Sequence, residues 1–216
     1  MDYIINNDFS YTSVFSINAS HVLQAVLKTN NILLHNPENL YKTLDLKTTS
    51  AIVGAVYCSS LAESIEGAIV NPIEKGHPDI VPSIAANASE AELRNYPDGL
   101  EIKTTVGNVK TGSALKAGEN RLNFLTGITW QAHHQEVNEL MALIWDFNAE
   151  TKTFLFPMVT AVFFSSALSH DDWGAISGTT GRNTKVCGMT ATGRIKMKDG
   201  WVAMHNKYNL RYNQLL

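Results

Sequence analysis

Cysteine is scarce: Cys58 and Cys187 are the only two in 216 residues. They have no metal-ligand spacing, which excludes a disulfide scaffold and a cysteine zinc site and leaves buried reduced thiols. Proline numbers six, and no Pro/Gly-rich linker, internal repeat or low-complexity tract divides the chain, so one compact domain is expected. Long apolar runs are missing too. The longest, Leu140–Phe147 and Phe154–Leu168, are short or broken by Asp, Pro and Ser. Neither reaches the ~20 residues of a membrane helix. The opening MDYIINNDFSYTS has no basic or apolar leader segment, so a cytoplasmic protein with no membrane partner is expected. Nor is there a large excess of either charge: 17 Lys+Arg stand against 20 Asp+Glu, a net of −3, which excludes an evenly basic, histone-like protein.

What is present is a core. A hydrophobic fraction of 44% with eight Phe, seven Tyr and four Trp excludes a disordered chain. The mild total charge is also uneven. Residues 1–99 hold five basic and eleven acidic side chains, a net of −6. Residues 176–216 hold seven basic residues (Arg182, Lys185, Arg194, Lys196, Lys198, Lys207, Arg211) and one acid, Asp199, a net of +6. A basic segment of this kind can hold a polyanion, because each neutralised phosphate releases counterions. A solvated lysine-rich surface accounts for the same composition.

Periodicity predicts helices over Ala19–Lys28 and about Thr48–Val70, the second ended by Asn71-Pro72. Asp79-Ile80-Val81 reads as the start of a strand and Leu100–Val106 as the next. In that strand Leu100, Ile102, Thr104 and Val106 share one face, and Glu101, Lys103 and Thr105 the other. Gln135–Ile144 fits a helix or a turn into a strand, and the strand Leu140–Phe147 is preferred. The tail after Trp173 reads as loops and edge strands carrying the positive charge. The fold expected is a single α/β domain with a central mixed sheet of four to six strands flanked by helices.

The chemistry concentrates in Pro78-Asp79, followed after 21 residues by Glu101-Ile102-Lys103. Alternation puts Glu101 and Lys103 on one side of a strand, ~7 Å apart. A neighbouring strand starting at Asp79 brings a second carboxylate alongside. Two such acids repel, so one keeps its proton unless a cation intervenes. A hard divalent ion with oxygen ligands, most naturally Mg²⁺, resolves the conflict. An ammonium beside it can orient a water and neutralise charge on a phosphate. Acid, acid, ammonium and metal compose a phosphodiester-hydrolysis centre.

Pro78-Asp79…Glu101-Ile102-Lys103 resembles the motif of the PD-(D/E)XK nucleases, and GHPDIVP and PDGLEIKTT are similar to segments of type II restriction endonucleases. The resemblance covers about residues 50–110. It implies a restriction-endonuclease-like core over about 48–165 and a basic, DNA-contacting part over about 174–216. It implies that Asp79, Glu101 and the Ile102 carbonyl ligate Mg²⁺, with Lys103 at the attacking water. It also implies an acid from the preceding helix, for which Glu63 is the first choice and Glu66 the second. The function implied is site-specific, Mg²⁺-dependent hydrolysis of double-stranded DNA by a homodimer. A same-fold repair or junction-resolving nuclease and a non-catalytic DNA-binding protein are the alternatives.

Several further residues carry competing readings. Arg182, Asn183 and Lys185 suit base and phosphate contacts, or belong to a plain surface loop. Lys110 follows Glu-X-Lys closely enough to reach a scissile phosphate. Gly178–Lys185 lacks the spacing of a phosphate loop, so no nucleotide cofactor is expected. His133 and His134, adjacent and without a third ligand, read as a DNA contact or core histidines. His77 reads as shaping the turn before Asp79, and Asp171-Asp172 as a helix cap or turn. Pro97-Asp98 repeats the dipeptide too close to Glu101 to lie on a separate strand.

Overall fold

The computed structural model describes residues 2–107, 130–148, 155–177 and 185–208. The strands in chain order are β1 (Tyr3–Ile5), β2 (Ser10–Thr12), β3 (Ser16–Asn18), β4 (Ala68–Val70), β5 (Ile80–Pro82), β6 (Glu101–Val106), β7 (Trp130–Gln131), β8 (Leu140–Asn148), β9 (Phe156–Ser165), β10 (Val186–Cys187) and β11 (Trp201–His205). The helices are α1 (Ala19–His35), α2 (Glu38–Thr43), α3 (Leu46–Ser64), α4 (Glu90–Leu93) and α5 (Ala191–Asp199).

The frame is a five-stranded mixed sheet in the order β1-β11-β9-β8-β6. All its neighbours are antiparallel except β6 and β8, which run parallel with Glu101 opposite Leu140. Strands β8 and β9 are buried along almost their whole length, which explains why LMALIWDFN and FPMVTAVFFS read as near-continuous apolar runs. One sheet face packs Ile102, Met141, Leu143 and Trp145 against Val22 and Val26 of α1 and Val53, Tyr57 and Leu61 of α3. The other packs Leu140, Ala142, Ile144 and Phe163 against Trp173, Met189 and Met197, the last from α5. Each Val, Leu, Ile, Phe or Met side chain fully buried in this way contributes ~1.5–3 kcal/mol of transfer free energy. The fold is thus α/β, with a mixed sheet flanked by helices, as the sequence indicates.

The predicted helices are in place, with shifted ends. The first begins where Asn18 accepts a hydrogen bond from the His21 N–H (3.0 Å) and continues to His35. The second is capped by Asp45, which accepts from the Thr48 N–H (2.7 Å), and stops at Ser64, short of Val70. Gly67, at φ 77°, turns the chain, and residues 68–70 become β4, antiparallel to β5.

The reading of the tail is corrected by the structure. Arg194-Ile195-Lys196-Met197-Lys198 alternates as an edge strand would but lies in α5, with Met197 buried and Ile195 exposed. Five residues of alternation fit either period, and the Thr190 cap, accepting from the Gly193 N–H, favours the helix. Strand β11 is not an edge either: it lies between β1 and β9 and completes the sheet. Part of the positive charge is used internally. Lys196 donates to Asp172 (2.7 Å) and to the Ala167 carbonyl, and Lys207 donates to Asn148 (3.1 Å).

Candidate active site

Four segments build one cleft of about 570 Å³: α3 from Lys47 to Cys58, the loop from β4 to β5, the start of β6, and the turn holding His134. Helix α3 contributes small side chains (Ser50, Ala51, Gly54, Ala55) and Cys58, at intervals that keep them on one face. Gly54 is required by the close approach to β6, since a Cβ there would stand 2.8 Å from Thr104 Oγ1. Trp145 fixes the same wall from below, its indole N–H donating to Ser50 Oγ (2.9 Å).

The loop between β4 and β5 is tied by one buried amide. Asn71 Nδ2 donates to the carbonyls of Pro78 (3.1 Å) and Leu93 (2.9 Å), and its backbone N–H donates to the Asp79 carbonyl (2.8 Å). The sequence marked Asn71 only as a helix stop, and nothing local in it signals this role. Asn71→Ala would leave both buried carbonyls without that donor, a loss of ~1–3 kcal/mol. Its melting temperature should fall by about 2–10 °C. An unchanged value in calorimetry would mean that the amide does not hold the loop.

Asp79 comes to β6 through this loop. A bridge between Ile80 and Leu100 closes the 21-residue excursion, with reciprocal backbone bonds of 3.1 and 2.8 Å. Asp79 Oδ2 then accepts from the Ile102 N–H (2.8 Å). Because β6 is an edge strand whose Glu101 N–H turns toward β8, the N–H and carbonyl of Ile102 both turn outward, to the side of Asp79. Glu101 and Lys103 project from the same face of β6 and line the cleft with Asp79. The structure therefore brings Asp79, Glu101, Ile102 and Lys103 together.

The electrostatics are those of two acids in conflict. Burial, and next to it the Glu101 charge, push the Asp79 carboxyl up to about 7, against the opposing effects of the Ile102 N–H, His77 and Lys103. Glu101 is almost fully buried, between two imidazoles: His77 Nδ1 is 3.5 Å from Oε2 and His134 Nε2 is 3.6 Å from Oε1. Hydrogen bonding to Glu101 holds His77 above the ordinary imidazole value, outweighing its partial burial. Burial, with Asp79 and Glu101 adding, pushes the Cys58 thiol far up, so it is an inert wall residue.

His134 was left open by the sequence. It lies in a 3-10 turn, Ala132–Glu136, not on a strand, and its ring stacks on Trp173 (centroids 6.5 Å apart, planes 20°). The side chain of His133 lies outside the described residues. The helix acid is a correction. Glu63 is 59% exposed and ion-paired with Lys28 of α1, Glu66 is exposed beyond the end of α3, and neither lines the cleft. Lys185 is exposed and does not line the cleft, while Lys110, Arg182 and Asn183 lie outside the described residues. Asp172 is a turn residue, accepting from the Ser169 N–H (2.7 Å) and from Lys196. Asp98 lines a neighbouring cavity with Glu136 and Glu139, apart from the cleft.

Among the described residues no three His, Cys, Asp or Glu side chains form a metal cage. Two carboxylates and an outward-turned carbonyl can still hold a hard cation that keeps several waters, as Mg²⁺ does. The raised Asp79 carboxyl is the sign of two acids that such a cation would relieve. Comparison with protein-family models, curated proteins and solved structures found no match to this chain.

Proposed function

We propose that this chain is a metal-dependent nuclease of the PD-(D/E)XK kind, hydrolysing phosphodiester bonds in double-stranded DNA at a short site as type II restriction endonucleases do. The observation that carries the reading is the convergence of Asp79 with Glu101-Ile102-Lys103 in one cleft, joined by the Asp79–Ile102 hydrogen bond. The order of elements supports it: a helix, a strand entered through the Asp, then a strand bearing Glu-X-Lys.

Asp79, Glu101 and the Ile102 carbonyl would hold Mg²⁺. The ion would supply positive charge at the scissile phosphate and a nucleophile at neutral pH. Asp79 is oriented by the Ile102 N–H, and Glu101 by the imidazoles beside its two oxygens. Lys103 faces the same cleft, where its ammonium orients the attacking water and stabilises charge growing on the phosphoryl oxygens. The small side chains of α3 leave room for a sugar-phosphate backbone. By the resemblance, the products carry 5′-phosphate and 3′-hydroxyl ends. A homodimer would match the two-fold symmetry of a palindromic site.

Incubation of plasmid DNA with the protein and Mg²⁺ tests this, beside Asp79→Ala and Lys103→Ala. The expected result is a discrete set of fragments with the wild type and intact plasmid with both variants. Smearing, or cutting confined to branched DNA, would replace the restriction reading with repair or junction resolution. Uncut DNA with the wild type would remove the nuclease assignment.

A further inference from the structure

The cleft has two cations that the catalytic reading leaves without a task. Lys47 stands in the first turn of α3 and Lys75 in the loop before β5, so they approach the Asp79–Glu101–Lys103 centre on different elements. Both side chains are exposed. Each also sits against local preference. A cation in the first turn of a helix faces the positive end of the macrodipole, and Asp45 at the N-cap is its acidic neighbour. Lys75 has φ 61°, in the left-handed region that side chains avoid, on a loop held by Asn71. Residues that break local rules together around one cavity are a mark of function. Their acidic neighbours, Asp45 and Glu74, are exposed, so the pairs they make with these lysines are weak. Glu74 is 4.0 Å from Lys75 in a fully solvated pair, and Asp45 uses its carboxylate to cap α3.

We infer that Lys47 and Lys75 are the backbone clamp of this site, gripping phosphates that flank the scissile one on a single DNA strand. The inference rests on the nuclease reading and specifies how its substrate is held. The cleft of about 570 Å³ formed by the described residues is of small-ligand size, suited to one strand's sugar-phosphate backbone. That backbone needs positive charge on both sides of the metal-holding acids, which repel it. Lys47 on the helix side and Lys75 on the loop side supply it. Binding energy of this kind is electrostatic and indifferent to sequence.

The test is fluorescence anisotropy on a labelled DNA duplex, with Ca²⁺ as the divalent ion, over a range of salt concentrations. The proteins compared are the wild type, Lys47→Ala, Lys75→Ala, both conservative Arg variants, and Lys42→Ala, whose residue pairs with Glu38 away from the cleft. Each cleft Ala variant should reduce the slope of log K against log salt by ~0.9 and weaken binding by a similar factor on every duplex sequence. The Arg variants should restore the slope, and Lys42→Ala should match the wild type. Wild-type slopes in both Ala variants, with the wild type binding well, would overturn the clamp and leave the nuclease reading standing. No salt-dependent binding by the wild type would overturn the reading and the clamp together.

Discussion

Asp79→Asn is expected to abolish cleavage and, in the same protein, to raise its stability above neutral pH. The carboxyl titrates near 7 in the folded chain and at 3.8 when unperturbed. Between those values the unfolded chain gives up its proton and the folded chain keeps it, so stability falls as pH rises. Above 7 the full penalty is in force, at most ~4 kcal/mol and nearer ~1–3 after allowance for residual solvation. Asn carries no charge, retains an oxygen for the Ile102 N–H, and ends the repulsion of Glu101. The melting temperature at pH 8 without divalent metal should therefore rise by about 2–10 °C. The gain should shrink toward pH 4 and vanish below 3.8, where Asp79 is protonated in both states. His77 acts in the same direction in the wild type. Its raised value means stability that is full below 6.5 and is lost as pH rises through the folded value. Added Mg²⁺ should raise the wild type toward the variant and leave the variant unmoved. A variant no more stable than wild type at pH 8 would mean that Asp79 is not held in conflict with Glu101.

On the proposed reading, such a trade of stability for function is what a cation site assembled from two acids implies, and the acidic residues that create it were legible in the sequence. Pro-Asp and Glu-X-Lys are short patterns on an alternating strand, and alternation alone decides that Glu101 and Lys103 share a side. The sheet was legible for a similar reason: runs such as LMALIWDFN suit strands covered on both faces. The helix acid failed on phase. Ser50, Gly54 and Cys58 recur every four residues toward the cleft, and Glu63, five residues after Cys58, is turned ~140° away at 100° per residue. Alternation misled in the tail, where five residues suit a helix as well as a strand. Asn71 and His134 had no local signal because long-range pairing positions them. The parallel register sets Glu101 opposite Leu140, and the Glu101 N–H donates to the Glu139 carbonyl, so the turn preceding β8 falls beside the carboxylate.

That register underlies the second large effect, expected for His134→Ala. The imidazole is buried, stacks on Trp173, and places Nε2 3.6 Å from Glu101 Oε1. Its loss takes a polar neighbour from an almost fully buried carboxylate and opens a cavity against the indole. Both changes act on the second sheet face, which Leu140, Trp173 and Met189 fill. Removing a buried polar partner and leaving the cavity costs ~2–4 kcal/mol, so the melting temperature should drop by about 5–15 °C. Cleavage should fall by ~10–100-fold at saturating Mg²⁺, the scale on which partners that orient metal ligands act. His134→Gln, which keeps a donor beside Oε1, should recover most of the activity and less of the stability, because it cannot stack on Trp173. The two readouts thereby separate orientation of Glu101 from packing of the core. If Gln and Ala lose activity equally while their stabilities differ, His134 supports the fold alone, and the orientation of Glu101 rests on His77.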